Sequence, residues 1–115
     1  MEQHTYPDTT KELAQKRREL APETFNAFRA FSQSVFADGA LPSKTKQLIA
    51  IAVAHVTQCP YCIRGHTELA SQKGATDKEI MEAIWVAAEM RAGAAYAHAV
   101  LAIDVINKAE AKRSA

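Results

Sequence analysis

Two cysteines, Cys59 and Cys62, lie in the stretch TQCPYCIRGH, and His66 follows the second by four residues. Thiols at this spacing close a disulfide, pass through a sulfenic acid or share a metal ion, and a nearby imidazole accepts or returns the proton. Pro60 suits the first turn of a helix, which makes Cys59 the residue at its cap. On such a helix His66 lies about 40° around the axis and ~6 Å along it from Cys62, but ~10 Å from Cys59. His66 is thus placed as proton acceptor for Cys62, with Cys59 one turn away to close the disulfide. The helix start acts in the other direction, because its unpaired N–H groups and positive dipole end favour a thiolate most at the first cysteine. The histidine spacing assigns the first attack to Cys62.

Zinc is the rival use of the same residues. Cys59, Cys62 and His66 supply three ligands where a closed structural site needs four, and the fourth would have to be as distant as His55 or His98. Donors at i, i+3 and i+7 also stack along a line rather than around a tetrahedron, so no metal site is expected. A non-enzymatic redox sensor or zinc-binding adaptor is the alternative for these thiols, and stoichiometric metal in protein purified without added zinc would mark it. A thioredoxin fold does not fit, because its CxxC needs a βαβ context.

The elements that must position these groups all read as helices. Thr9 with Glu12 forms a capping box for a charged helix ending near Leu20, whose KRRE run (Lys16–Glu19) is a solvated face. A second helix opens at Pro22, carries Phe25, Phe28, Phe31 and Val35 at helical spacing for core packing, and stops at Gly39. A third, capped by Ser43, runs through Leu48, Ile51, Ala52 and Val56 until Pro60 forces a break near Gln58. The CxxC helix follows, stopped by Gly74. Thr76 and Glu79 cap a fifth helix that ends at Gly93, and an alanine-rich sixth follows. No stretch alternates with period two, so the fold class is all-α: a single-domain helical bundle of about six helices over residues 1–115. Residues 1–8, including His4, read as a flexible arm.

The chain has 115 residues, 48% of them apolar, and a formal net charge of +1. That balance excludes electrostatic steering of nucleic acid. The longest apolar run, Leu48 to Ala54, is far too short to span a bilayer, and the first residues lack the order of a signal peptide. A cytoplasmic location is expected. There thiols stay reduced, which favours catalytic or redox use of the pair over a permanent staple. The small residues between Ala87 and Ala99 allow close helix approach but fill little volume, so large side chains from another subunit are expected against them. Trp85, Tyr96 and His98 then read as core or subunit contacts.

The run PSKTKQLIAIAVAHVTQCPYCIRGHTELASQKGATDKEIMEAIWVAA resembles the carboxymuconolactone decarboxylase superfamily, in its branch of alkylhydroperoxidase AhpD-like proteins. The shared features are the Lys-Thr-Lys helix start, the apolar helix leading into CxxCxxxH, the Gly stop and the Thr-x-x-Glu-Ile-x-Glu-Ala helix. The resemblance covers residues 42–102. It implies an all-helical homo-oligomer (trimer or hexamer) that reduces a hydroperoxide substrate with an external dithiol or protein reductant, without a cofactor. It further implies that Cys62 is peroxidatic, Cys59 resolving and His66 the base. The superfamily's decarboxylases lack the CxxC pair, which argues against that activity here.

One position departs from the pattern. The family relay commonly has a glutamate twelve residues before the first cysteine, where this chain has Gln47. A glutamine hydrogen-bonds but takes no proton and does not raise the basicity of His66 as a carboxylate would. His55, two turns on, is a possible substitute proton carrier with a satisfied interface histidine as the plainer reading; Glu68 and Glu82 are further possibilities. Tyr61, between the cysteines, is expected to pack.

Overall fold

A computed structural model describes residues 5–114, and five α-helices account for most of them: α1 Lys11–Leu20, α2 Pro22–Phe36, α3 Ser43–Thr57, α4 Pro60–Gln72 and α5 Asp77–Ser114. Among the described residues there is no strand, as the absence of period-two patterning requires. The helix expected to end at Gly93 instead continues as a 38-residue α5, so the six expected helices are five. A glycine ends a helix by adopting the left-handed conformation. Gly74 does so, with φ +89°, whereas Gly93 stays helical beneath the Glu89 carboxylate. Its penalty of about 1 kcal/mol relative to alanine is spread over a long run of strong helix formers.

Other boundaries shift for local reasons. Thr10, not Thr9, caps α1, its Oγ1 accepting from the Leu13 N–H at 3.2 Å. α2 ends at Phe36, three residues before Gly39. Ser43 is the first residue of α3 rather than its cap, and its N–H donates to the Asp38 carboxylate at 2.7 Å, so a side chain five residues upstream does the capping. The Thr76–Glu79 capping box forms as expected, with reciprocal bonds of 2.8 and 3.1 Å.

The centre of the molecule is the α3–α4 hairpin packed on the first turns of α5. Ile51, Ala70 and Ala75 are buried together, with Leu48, Ile80 and Ile84 against them. Lys44 of α3 pairs with Glu79 of α5 at 3.0 Å, and Arg91 of α5 donates to the last-turn carbonyl of Val56 at 3.0 Å. Both ends of α3 are thereby tied to α5.

The outer parts are far less covered. Phe28, Phe31 and Val35, expected in the core, are exposed on α2, and Trp85 is 65% exposed on α5. The radius of gyration is 20.9 Å, against about 13 Å for a compact chain of roughly this length. The cause is α5, which at 1.5 Å per residue extends for about 57 Å and outruns the helices that could cover it.

Residues 5–8, expected to belong to a flexible arm, lie against α4. The Tyr61 hydroxyl donates to the Pro7 carbonyl at 2.8 Å, the Tyr6 and Tyr61 rings meet edge to face, and Asp8 pairs with Arg64 at 3.4 Å. Tyr61 therefore packs, as expected. His4 lies outside the described residues.

Candidate functional site: a thiol pair at a helix start beside an apolar cavity

The turn between α3 and α4 places the thiols. Gln58 adopts the left-handed conformation (φ 58°), and both its N–H and that of Cys59 donate to the Ala54 carbonyl. Such a conformation is costly for a residue with a side chain, by roughly 1–2 kcal/mol, and it lets α4 begin at Pro60 without a longer loop. Cys59 becomes the N-cap of α4, its sulfur accepting the Cys62 N–H at 3.3 Å. Both thiols are free and half-buried.

Their acidities diverge. The Cys59 thiol is lowered, mainly because its sulfur accepts from the Cys62 side chain and then from the Cys62 backbone N–H. Cys62 is raised by that same side-chain bond, by burial and by the charge on Cys59. The two shifts favour a thiolate on Cys59 over one on Cys62. The cap position outweighs the histidine spacing in deciding acidity.

His66 is fixed from another helix. Its Nδ1–H donates to Oε1 of Gln47 at 2.7 Å, and Gln47 is only 4% exposed. The bond sets the tautomer and leaves Nε2 with the lone pair of the neutral ring. Phe36, at the end of α2, stacks on the imidazole at 5.1 Å between centroids and 27° between planes. Cys59, rather than His66, is the neighbour that shifts the acidity of Cys62.

Cys62 and His66 line one cavity of about 450 Å³, together with Val35 and Phe36 of α2 and Lys46, Ile49, Val53 and Thr57 of α3. The structure therefore brings Cys59, Cys62, His66 and Gln47 together. It does not bring His55, whose Nδ1 donates to its own helix at the Ile51 carbonyl (2.8 Å) and whose ring faces a separate cavity with Pro60, Ile63 and Arg64. Eight residues past Gln47 is 80° around the helix, enough to turn the ring to another face. Glu68 lines a further cavity with Asp8 and Tyr61, and Glu82 is exposed on α5. Among the described residues no three His, Cys, Asp or Glu side chains converge in a way that would hold a metal.

Sequence reasoning missed Phe36 and Lys46. Phe36 follows the phenylalanine stripe of α2 by one residue, and Lys46 starts an i, i+3, i+7 series through Ile49 and Val53 that marks the cavity face of α3.

The profile of the Carboxymuconolactone decarboxylase family matches residues 22–104, a span that holds the whole site. The chain belongs to this family. An uncharacterized protein encoded in the cox locus of Paracoccus denitrificans is 68% identical over 83 residues, covering 72% of this chain and 75% of that protein. The solved carboxymuconolactone decarboxylase family protein of Legionella pneumophila is 39% identical, with a TM-score of 0.65 over 67% of this chain and 69% of that one. A family member from Thermotoga maritima, for which involvement in an antioxidative response has been suggested, is 26% identical with a TM-score of 0.54, covering 71% of this chain and 94% of that one. The five helices are thus those of a carboxymuconolactone decarboxylase family fold. No helix among the described residues is long and apolar enough to cross a membrane.

Proposed function

We propose that this family member is a thiol-dependent hydroperoxidase and disulfide oxidoreductase that works through Cys59 and Cys62 in antioxidant defence. The observation that carries the reading is the division of labour in the pair: Cys62 faces the apolar cavity beside His66, while Cys59 caps the helix and holds the more stable thiolate. The suggested antioxidative role of the Thermotoga maritima relative agrees with it.

The cycle balances without a prosthetic group. Cys62 gives up its proton, with Cys59 or Nε2 of His66 as acceptor, and its sulfur attacks the terminal oxygen of ROOH. The O–O bond breaks, Cys62 becomes a sulfenic acid, and the alkoxide takes a proton to leave as ROH. The Cys59 thiolate then attacks the sulfenic sulfur, expelling hydroxide that is protonated to water, and a disulfide forms. An external dithiol reduces it, becoming a disulfide itself. The low pKa of Cys59 suits the second step, since a thiolate is needed once the sulfenic acid exists. Gln47 orients His66 but supplies no carboxylate to raise its basicity, so peroxide turnover is expected to be slow. We further read the working unit as a closed homo-oligomer of three or six chains, because the apolar face of distal α5 has no cover within the chain.

The test is dithiol-dependent peroxide loss with mass-spectrometric trapping of sulfenic acid. Cys59→Ser should accumulate sulfenic acid on Cys62, and Cys62→Ser should consume no peroxide. Trapping on Cys59 in Cys62→Ser, with none on Cys62 in Cys59→Ser, reverses the two roles. Loss of peroxidase activity in every form while disulfides are still exchanged leaves the redox-sensor or disulfide-reductase reading, which neutral Gln47 would favour.

A further inference from the structure

We propose that the cavity beside Cys62 selects hydroperoxides that carry a carboxylate on an apolar body, and that Lys46 binds the carboxylate; the inference rests on the peroxidase reading of the same site.

Size is the first argument. The cavity holds about 450 Å³, whereas one water occupies about 30 Å³ of liquid. Hydrogen peroxide, scarcely larger than water, would leave most of it unfilled. Its volume falls in the range of pockets that enclose organic ligands.

Polarity is the second. Val35, Phe36, Ile49 and Val53 offer a ligand only hydrocarbon. Lys46 supplies the positive charge on that lining. Its Nζ donates to the Ala37 carbonyl at 2.7 Å, the end of α2, which holds the ammonium in place and leaves two of its three N–H donors. The nearby Asp38 carboxylate is engaged by the Ser43 N–H at 2.7 Å. The bond to Ala37 lies at the exposed rim of the cavity, so the ammonium can meet a carboxylate whose apolar body enters the cavity.

Register along α3 is the third. Lys46 and Thr57 mark the two ends of the lining strip, about 16 Å apart along the helix axis. Gln47, which anchors His66, is the residue next to Lys46, so the imidazole and ammonium share one end of the strip. Cys62 precedes His66 by one helical turn, ~6 Å. A ligand with its carboxylate on Lys46 and its chain running toward Thr57 therefore passes the Cys62 sulfur with its middle carbons, where the hydroperoxide would have to be.

The experiment separates binding from chemistry. Decanoate and 1-decanol are titrated by calorimetry into the reduced full-length protein and into Lys46→Met and Lys46→Arg. The preference for decanoate over decanol should fall about tenfold in Lys46→Met and persist in Lys46→Arg. In parallel, kcat/KM is measured for a mid-chain hydroperoxide of decanoic acid and for its methyl ester. The acid should be preferred over the ester in wild type and not in Lys46→Met, and an unchanged circular dichroism spectrum reports that the variant is folded. A decanoate preference that survives in Lys46→Met, or equal kcat/KM for acid and ester in wild type, overturns the inference and leaves the peroxidase reading standing. Lys46-dependent decanoate binding with no hydroperoxide consumed by any form retains the carboxylate site and removes the peroxidase reading.

Discussion

Ile51 in α3 is fully buried, while Ile106 in α5, the same side chain on the same kind of element, is 52% exposed. The contrast extends to polar groups. His66 bonds across 19 residues to a buried glutamine of another helix, whereas His98 bonds only the Ala94 carbonyl one turn back in its own helix. On its inner face the α3–α4 hairpin meets its packing needs within one chain, while Ile49, Val53, Val56 and Leu69 on its outer faces stay exposed. Distal α5, with Tyr96, Val100, Leu101 and Val105 exposed, has no such packed face. Burying each large apolar side chain is worth about 1.5–3 kcal/mol, so the uncovered face represents a large free-energy gain still to be made. The thiol pair and its histidine thus sit in the packed region, and the large uncovered face lies in the other.

The largest expected effect lies in distal α5. Light scattering should give wild type a mass of at least three chains, and replacing Val100 and Leu101 together by Glu should reduce it to one chain. A wild-type monomer at micromolar concentration would erase the contrast between the two regions.

Next comes stability. Ile51→Ala should cost about 2–5 kcal/mol by urea unfolding, as for other fully buried aliphatic truncations, and at every protein concentration. Ile106→Ala should instead cost an amount that changes with protein concentration, because its burial depends on association.

Chemistry should divide the two histidines. His66→Ala is expected to slow sulfenic acid formation on Cys62 by about a hundredfold, the low end of general acid–base contributions. His98→Ala should leave it unchanged.

A smaller effect concerns pH. Alkylation by iodoacetamide, followed residue by residue in reduced protein, should begin at lower pH for Cys59 than for an unfolded thiol and at higher pH for Cys62. The same shifts act on stability with opposite sign. The lowered Cys59 contributes stability above the ordinary thiol pKa that is lost as pH falls through its folded value. The raised Cys62 contributes below the ordinary pKa and loses it as pH rises through its own. Equal alkylation profiles would remove the division of labour in the pair.

The smallest change expected is a rise in peroxide consumption of about threefold in Gln47→Glu. A carboxylate beside Nδ1 favours the imidazolium that pairs with a Cys62 thiolate. A fall in rate would mean that Gln47 serves His66 only as a neutral anchor.

Many local signals whose physics spans less than two turns were legible in the sequence, although the Thr9 and Ser43 caps and the Gly93 stop were not realised. Pro60 after an apolar helix, Cys59 at the cap, the Thr76–Glu79 box and the Gly74 stop all depend on backbone groups a few residues away, and all form. The CxxCxxxH spacing likewise placed Cys62 and His66 on one side of one helix, because helical periodicity needs no partner. Tertiary structure decided the rest. Whether Gly93 would stop α5 depended on its φ, to which its identity alone is indifferent. That Gln47 meets His66 while His55 turns away follows from how α3 lies on α4, and that Phe36 and Lys46 reach the cavity follows from where α2 ends. The lowered pKa of Cys59 follows from its closeness to Cys62, whose N–H its sulfur accepts as the helix cap, a contact for which the spacing of residues provides only the opportunity.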